Sequence, residues 1–460
     1  MFRSCSAAEV AGPSAAVSVL AHPNGKVSKP VGRFPWETGG LFATMTELAS
    51  GSACGIPVAG GGCEGGVWLL SNDQHTAVSG RTGSGKTSSC AMSSIVLEAR
   101  NRVGRKRNLV VIDAKSGLYE MTSELVRQAG YDVRCLDLRT GAGDSIDLLG
   151  EALSGQGLDA FERFASDLFD RVSDVLSGEK VDQYWKYAVK DLAVAVACSM
   201  AAGGLRPTLP NVGKMCTSTE AMKDLILQSK GGPFESLLRA ATSPMRASDT
   251  WACIQGCASA CFDFYMTGAG REAACPSSGF SLGESLRSRE DRPLAFYLIS
   301  PDESRSGDRF ASLVFDYAYN VVVDAVETGL NPRGLQIHID EAARFPTSCL
   351  PQLLGTGRSR NVFVHLYYQQ AKQFWERDKA YTRDEVSVML SQMGAILHLA
   401  SSDAEEATRI EQATGCRGVL SALAQLSAGD ALVESRGRPI VRTHIPQFEE
   451  LRRCGAFGGR

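Results

Sequence analysis

Gly80-Arg-Thr-Gly-Ser-Gly-Lys86-Thr87 is the stretch that decides the fold. It fills every position of the pattern GxxxxGK[ST], with a short strand pattern at 76–79 before it and a helical pattern at 86–100 after it. Phosphate chemistry explains each residue type. Glycines let the backbone curl so that amide groups face phosphate oxygens, and Lys86 brings a positive charge to the outer phosphates. Thr87 offers a hydroxyl to a magnesium ion, and the helix start adds the positive end of its dipole. Gly80, Arg81, Thr82, Gly83, Ser84, Gly85, Lys86, Thr87 and Ser88 are the candidate nucleotide-binding residues, with ATP and Mg2+ as the expected cofactors.

Outward from this loop, strands and helices alternate. Residues 109–113 form an apolar run ending in an acid, 118–128 a helix, and 133–137 another strand. Strand patterns return at 294–299, 335–339, 362–368 and 395–400, and 431–434 with 439–441 read as a hairpin around a turn at 435–437. Such alternation predicts an α/β fold with a mostly parallel central sheet. Between 156 and 288 the period changes. Phe161, Phe164, Leu168, Val172 and Val175 fall at helical spacing, as do Trp185, Val189, Leu192 and Val196. Thr217 and Glu220 read as a capping box. The expected organisation is therefore an N-terminal segment (1–65), an ATPase domain (66–155 with 289–447), an all-helical insertion (156–288) and a tail (448–460). Gly60, Gly61 and Gly62, then Gly65 and Gly66, read as a turn ahead of the first strands.

The bulk numbers exclude several classes. At 44% hydrophobic and 22% charged, 460 residues make a globular chain of more than one domain. A net charge of −3 leaves any nucleic-acid contact to local basic patches. Fourteen scattered cysteines in so long a chain read as reduced thiols in a cytosolic setting, not a disulfide scaffold. Cys253, Cys257 and Cys261 share a helix spacing and read as small packing residues. The apolar run at 192–202 is about half of what a bilayer span needs. We therefore expect a cytoplasmic chain, or one peripheral at the inner face of the cell membrane, without a transmembrane segment.

A phosphate loop needs an acid to hold Mg2+ and a base for water. Asp340 and Glu341 end the strand pattern 335–339, at the sheet edge where ligands of open α/β sheets bind. Asp340 is the expected Mg2+ partner with Thr87, and Glu341 the expected base. Asp113 is a rival, since it too ends an apolar strand. The 254 positions between Lys86 and Asp340 accommodate the helical insertion. Gln369, ending the neighbouring strand pattern, is placed to sense the γ-phosphate, and Arg358 or Arg360 to reach a neighbouring subunit's nucleotide. The basic cluster Arg100, Arg102, Arg105, Lys106 and Arg107 reads as a solvated loop in preference to a phosphate-backbone contact. His75, His338 and His365 show no metal-ligand spacing, and the last two read as strand residues with satisfied hydrogen bonds.

Several stretches in order resemble one family. These are Phe42-Ala-Thr-Met-Thr-Glu-Leu48 and Gly55-Ile-Pro57, Val110-Val-Ile-Asp113-Ala-Lys115, Tyr184-Trp185, Asp340-Glu341, and Gly357-Arg358-Ser359-Arg360-Asn361 with Gln369 and Gln373-Phe374. Gly415 and the hairpin near Gly437 and Ile440 follow. The chain resembles the TraG/TraD-type coupling ATPases of conjugation and type IV secretion, themselves similar to RecA-like and FtsK-like motors. That resemblance implies a RecA-like P-loop domain interrupted by an all-helical domain. It implies that Lys86, Thr87, Asp340 and Glu341 bind and hydrolyse ATP, that Gln369 couples phosphate state to movement, and that Arg358 or Arg360 acts across a homo-hexamer. The implied partners are single- or double-stranded DNA, a relaxase or relaxosome accessory protein, and the secretion channel. The chain departs from the family pattern in lacking N-terminal transmembrane helices and in reading Ser116-Gly117 where the family has Gly-Glu. Two other readings share these motifs: a nucleotide-switched docking adaptor for secreted proteins, and a soluble FtsK-like or HerA-like packaging or segregation motor.

Overall fold

The computed structural model describes residues 18–19, 40–43, 45–53, 55–60, 66–102, 106–155, 157–177, 182–276, 279–289, 292–300, 304–376, 381–435 and 440–458. Most of the N-terminal segment, the glycine turn at 61–65, Arg105, the hairpin turn at 436–439 and the last two residues of the tail lie outside them. The chain divides into two compact units: 1–133 with 286–297 and 322–460, and 134–285 with 298–321.

The first unit is built on the parallel sheet. The strand Thr76–Ser79, which feeds the phosphate loop, lies between Ala395–His398 and Val362–Tyr368. Beyond Val362–Tyr368 come Leu335–Ile339 and then Asn108–Asp113, all parallel. Every residue of these five strands is buried. A parallel sheet covered on both faces demands such unbroken apolar runs. On the other flank, Asp430–Ser435 pairs antiparallel with Ala395–His398, and Val441–His444 pairs antiparallel with Asp430–Ser435.

The phosphate-loop helix begins with one wide turn, Lys86–Ala91, and continues as Met92–Arg100. Its apolar face meets a small antiparallel sheet that sequence periodicity did not suggest: Gly40–Ala43, Val67–Leu70 and Ile56–Gly60, with Val67–Leu70 central. Ala43, Leu48, Val67 and Leu69 share one core cluster with Val96, Leu97, Phe448 and Leu451. These strands are four or five residues long, too short to show a period.

In the second unit, every described element from Leu158 to Arg287 is helical. Phe161, Leu168 and Val172 are buried on the helix Leu158–Val172. The long helix Gln183–Ala202 starts at Asp182, whose carboxylate accepts the Tyr184 amide at 2.9 Å. Helices Leu209–Thr217 and Ser248–Met266 approach at Gly213, where a Cβ would sit 2.8 Å from Phe262 Cβ. The expected capping box at Thr217 does not form. Ser218 is the cap instead, accepting the Ala221 amide, because Thr217 still belongs to the preceding helix and bonds back to Gly213 O.

The three cysteines of helix Ser248–Met266 grade from exposed Cys253 to buried Cys261, and no three His, Cys, Asp or Glu side chains among the described residues are grouped so as to hold a metal ion. Cys454 is disulfide-bonded, so the expectation of reduced thiols throughout fails there. No helix among the described residues is long and apolar enough to cross a membrane.

One stability prediction arises from the first unit. Asp403 caps helix Ala404–Thr414, accepting the amides of Glu405 at 3.0 Å and Glu406 at 3.2 Å. Asp403→Ala should cost about 1 kcal/mol of unfolding free energy in a denaturant titration. A midpoint equal to wild type would refute the capping role.

Candidate nucleotide-binding site

Lys86 opens the helix that follows the loop, and Gly85 caps it at φ 101°, a left-handed value. A Cβ at Gly85 would also lie 2.9 Å from Ser89 Oγ, so glycine is needed twice over. Lys86 is 6% exposed, and its ammonium is folded back onto the loop, donating to Gly80 O at 2.7 Å and Arg81 O at 3.3 Å. Burial lowers its pKa, while the fields of Glu341 and Asp340 push the other way. The lysine and both acids therefore share one electrostatic neighbourhood.

Asp340 leaves the end of strand Leu335–Ile339, its amide donating to Ile112 O at 3.0 Å. Burial raises its carboxyl to about 7, helped by the negative fields of Glu341 and Asp113 and opposed by Lys86. Its Oδ1 has no hydrogen-bond partner within the protein, and the same is true of Ser84 Oγ and Ser89 Oγ. Buried polar atoms without partners are costly unless a ligand meets them. A hard carboxylate oxygen beside a phosphate loop fits Mg2+, and the loop with its curled backbone fits a nucleotide polyphosphate.

Asp113, the rival, is already in use. Its Oδ1 accepts the Lys115 amide at 3.1 Å and its Oδ2 the Tyr119 amide at 2.8 Å, anchoring the start of helix Gly117–Gln128.

Glu341 has φ 49° and ψ 47°, a left-handed conformation that costs a non-glycine residue about 1 kcal/mol or more. Gln369 Nε2 donates to its Oε1 at 3.1 Å and to its Oε2 at 3.0 Å. Gln369 follows the strand lying between the phosphate-loop strand and the acid strand. One amide thus holds the candidate base from a position between loop and acids.

Arg358 and Arg360 are not brought to this site. They form the turn Gly357–Arg360 that enters strand Val362–Tyr368, at the end opposite Gln369. Seven strand residues separate the two ends, about 23 Å. Arg360 is paired with Glu327 at 3.0 Å, whereas Arg358 is exposed.

Two members of the basic cluster, Arg100 and Arg107, are tied down, while Arg102 is exposed as a solvated loop would have it and Arg105 lies outside the described residues. Arg107 bonds Asn361 Oδ1 at 2.8 Å, Asp73 and Gln336, with the buried Glu98 3.7 Å away, and Arg100 donates to Ala49 O at 2.7 Å. Local spacing cannot show partners hundreds of residues off. His365 bonds Thr76 Oγ1 at 2.5 Å and also Gln336. His338 meets Tyr367 at 3.1 Å through Nδ1, but its Nε2 has no partner, so its bonding is only half satisfied.

Two family models match the chain. Residues 44–223 match the one described as "Type IV secretory system Conjugative DNA transfer". Residues 335–444 match the one described as "TraM recognition site of TraD and TraG". The chain belongs to the TraG/TraD-type conjugative coupling proteins.

Solved structures agree on the fold of this coupling protein. It is similar to the bacterial conjugative coupling protein TrwBdeltaN70 in its unbound monoclinic form, at 16% identity and TM-score 0.61, covering 88% of this chain and 94% of that one. It is similar to TrwB in complex with ADP and Mg2+, at 16% identity and TM-score 0.58, covering 82% and 85%. It is also similar to VirB4 of Thermoanaerobacter pseudethanolicus, at 13% identity and TM-score 0.54, covering 86% and 96%. No curated protein matches the chain. The RecA-like P-loop fold with a helical domain, expected from the resemblance, is thereby shown.

Sequence reading missed one group at the edge of this coupling protein's site. Buried His398 and Glu406 form a charged cluster with half-buried Arg409 and Glu434 beside Ser79. The Ser79–His398 contact spans 319 positions, beyond any local pattern.

Proposed function

We propose that this coupling protein is an ATP-hydrolysing motor that passes a conjugative DNA substrate, with its relaxosome, to a type IV secretion channel. The observation that carries it is the convergence of Lys86, Asp340, Glu341 and Gln369 at one edge of the sheet, in a chain whose two matched segments are those of conjugative transfer. TrwB, which shares the fold, has been seen with ADP and Mg2+ and with a non-hydrolysable ATP analogue.

ATP supplies the phosphoryl group that is transferred to water, and Mg2+ screens its charge. Lys86 exchanges the carbonyls of Gly80 and Arg81 for phosphate oxygens. Thr87 and Asp340 hold the metal ion. Glu341 takes the proton of the attacking water, and Gln369 holds that carboxylate in place until the outer phosphate competes for its amide. Arg358, exposed where Arg360 is held, is the arginine free to serve a neighbouring subunit of a homo-hexamer. The family match over 335–444 supports a docking site for a relaxosome accessory protein within that segment, on residues outside its buried strands.

ATP turnover should rise severalfold on adding DNA, and single- and double-stranded DNA compared side by side will show which is carried. Mass measured with ATP present should show assembly. A DNA-independent rate with no measurable DNA binding would refute the motor and leave a docking adaptor.

A further inference from the structure

Behind the phosphate loop lies the charged cluster that the proposed chemistry does not use. His398 ends strand Ala395–His398 and stands in register with Ser79, the residue before Gly80. It is fully buried. Its Nδ1 is 3.0 Å from Glu406 Oε1 and 2.9 Å from Ser79 Oγ, and its Nε2 is 3.0 Å from Glu434 Oε2. A neutral imidazole donates from one nitrogen only. A carboxylate at each nitrogen therefore requires hydrogen on both. Arg409 Nη2 reaches the same Glu434 oxygen at 3.0 Å, so the cluster balances two cations against two anions when His398 is charged.

The ties continue into the loop. Leu399 N donates to Ser79 O at 2.8 Å, and Arg81 N donates to Ala400 O at 2.9 Å. The residues on either side of Gly80 thus hang on the segment that follows His398. Ser79 also bonds Glu406, which helps to keep that carboxylate ionised.

We propose that His398 is a positioning residue for nucleotide binding: held as an imidazolium between Glu406 and Glu434, it fixes Ser79 and so the departure of the phosphate loop at Gly80. The inference rests on the reading of that loop as the nucleotide site.

The pH dependence has a definite sign. Burial opposes a charge on His398, but the bonds and fields of Glu406 and Glu434 outweigh it and hold its pKa above the usual histidine value. Burial likewise opposes the charge of Glu434, but His398 and Arg409 hold it down to about 2. Tyr368 and Asp403 are the other ionisable groups beside the cluster; burial keeps the Tyr368 phenol protonated and so uncharged, which leaves Asp403 to add negative field. A group whose pKa is raised by folding contributes fully below its unfolded pKa and loses that contribution as pH rises through the folded value. The clamp therefore holds in full below the usual histidine pKa, about 6.5, and loosens as pH rises through the raised value of His398.

The test measures the Kd of a fluorescent ADP analogue with Mg2+, from about pH 6 to about pH 9.5, alongside melting temperature. The full-length wild type is compared with His398→Gln and Ser79→Ala. Wild-type affinity should be flat at low pH and fall severalfold as His398 deprotonates. His398→Gln should bind about tenfold more weakly near neutrality and lack the alkaline limb. Ser79→Ala, which removes only the hydroxyl, should weaken binding with little loss of stability, and it decides alone if His398→Gln does not fold. Both variants matching wild-type affinity at every pH, with only a lower melting temperature, would overturn the inference. No binding by the wild type would instead overturn the nucleotide-site reading, and this inference with it.

Discussion

Lys86→Ala should lose nucleotide affinity by about 10- to 100-fold, since a charge-assisted bond to phosphate is worth about 1.5–3 kcal/mol. ATP hydrolysis should fall further, because the lysine also meets charge that develops on the outer phosphate. The folded chain should tolerate the change. The ammonium is buried against two backbone carbonyls, and its lowered pKa shows that its present surroundings hold a charge poorly. Without nucleotide the melting temperature should therefore stay close to wild type, while the rise in melting temperature produced by a fixed concentration of MgATP should shrink in step with the weaker affinity. A variant that gains as much stability from MgATP as the wild type does would place the triphosphate elsewhere.

Glu341→Gln should separate binding from chemistry. The Gln369 amide still finds an oxygen at position 341, so the local geometry persists. Affinity for MgATP should remain within about threefold, and turnover should drop by about 10²- to 10⁴-fold, the usual contribution of a general base. Asp113→Asn is the control that separates the rival acids. Its carboxylate accepts two backbone amides, so its loss should lower stability and act on turnover only indirectly. Normal turnover in Glu341→Gln, with lost turnover in Asp113→Asn, would exchange the two assignments.

The parts of this site that were legible in sequence are those carried by one short segment. The loop from Gly80 to Thr87 needs only eight residues to state its chemistry, and each buried parallel strand shows as an apolar run ending in a polar residue at the ligand edge. Asp340, Glu341 and Gln369 could be placed for that reason. The arginines show the opposite case. Arg358 and Arg360 adjoin a strand that ends at the site, but they adjoin its far end, so a single chain cannot bring them to its own phosphate loop. Arg107 shows it again, because its partner Gln336 lies on strand Leu335–Ile339 and its partner Asn361 just before strand Val362–Tyr368.

By itself, then, the sequence determined the phosphate loop, the strands that converge on it and the helical stretch that interrupts them. Backbone chemistry and hydrophobic period are local and survive without knowledge of neighbours. Only the tertiary structure gave the Asp113 carboxylate two backbone amides while leaving Asp340 Oδ1 without a protein partner, turned Glu341 into the left-handed conformation that meets Gln369, and set His398 beside Ser79. Each of those depends on which strands lie side by side, and strand order in a parallel sheet is a matter of long-range packing that no short stretch records.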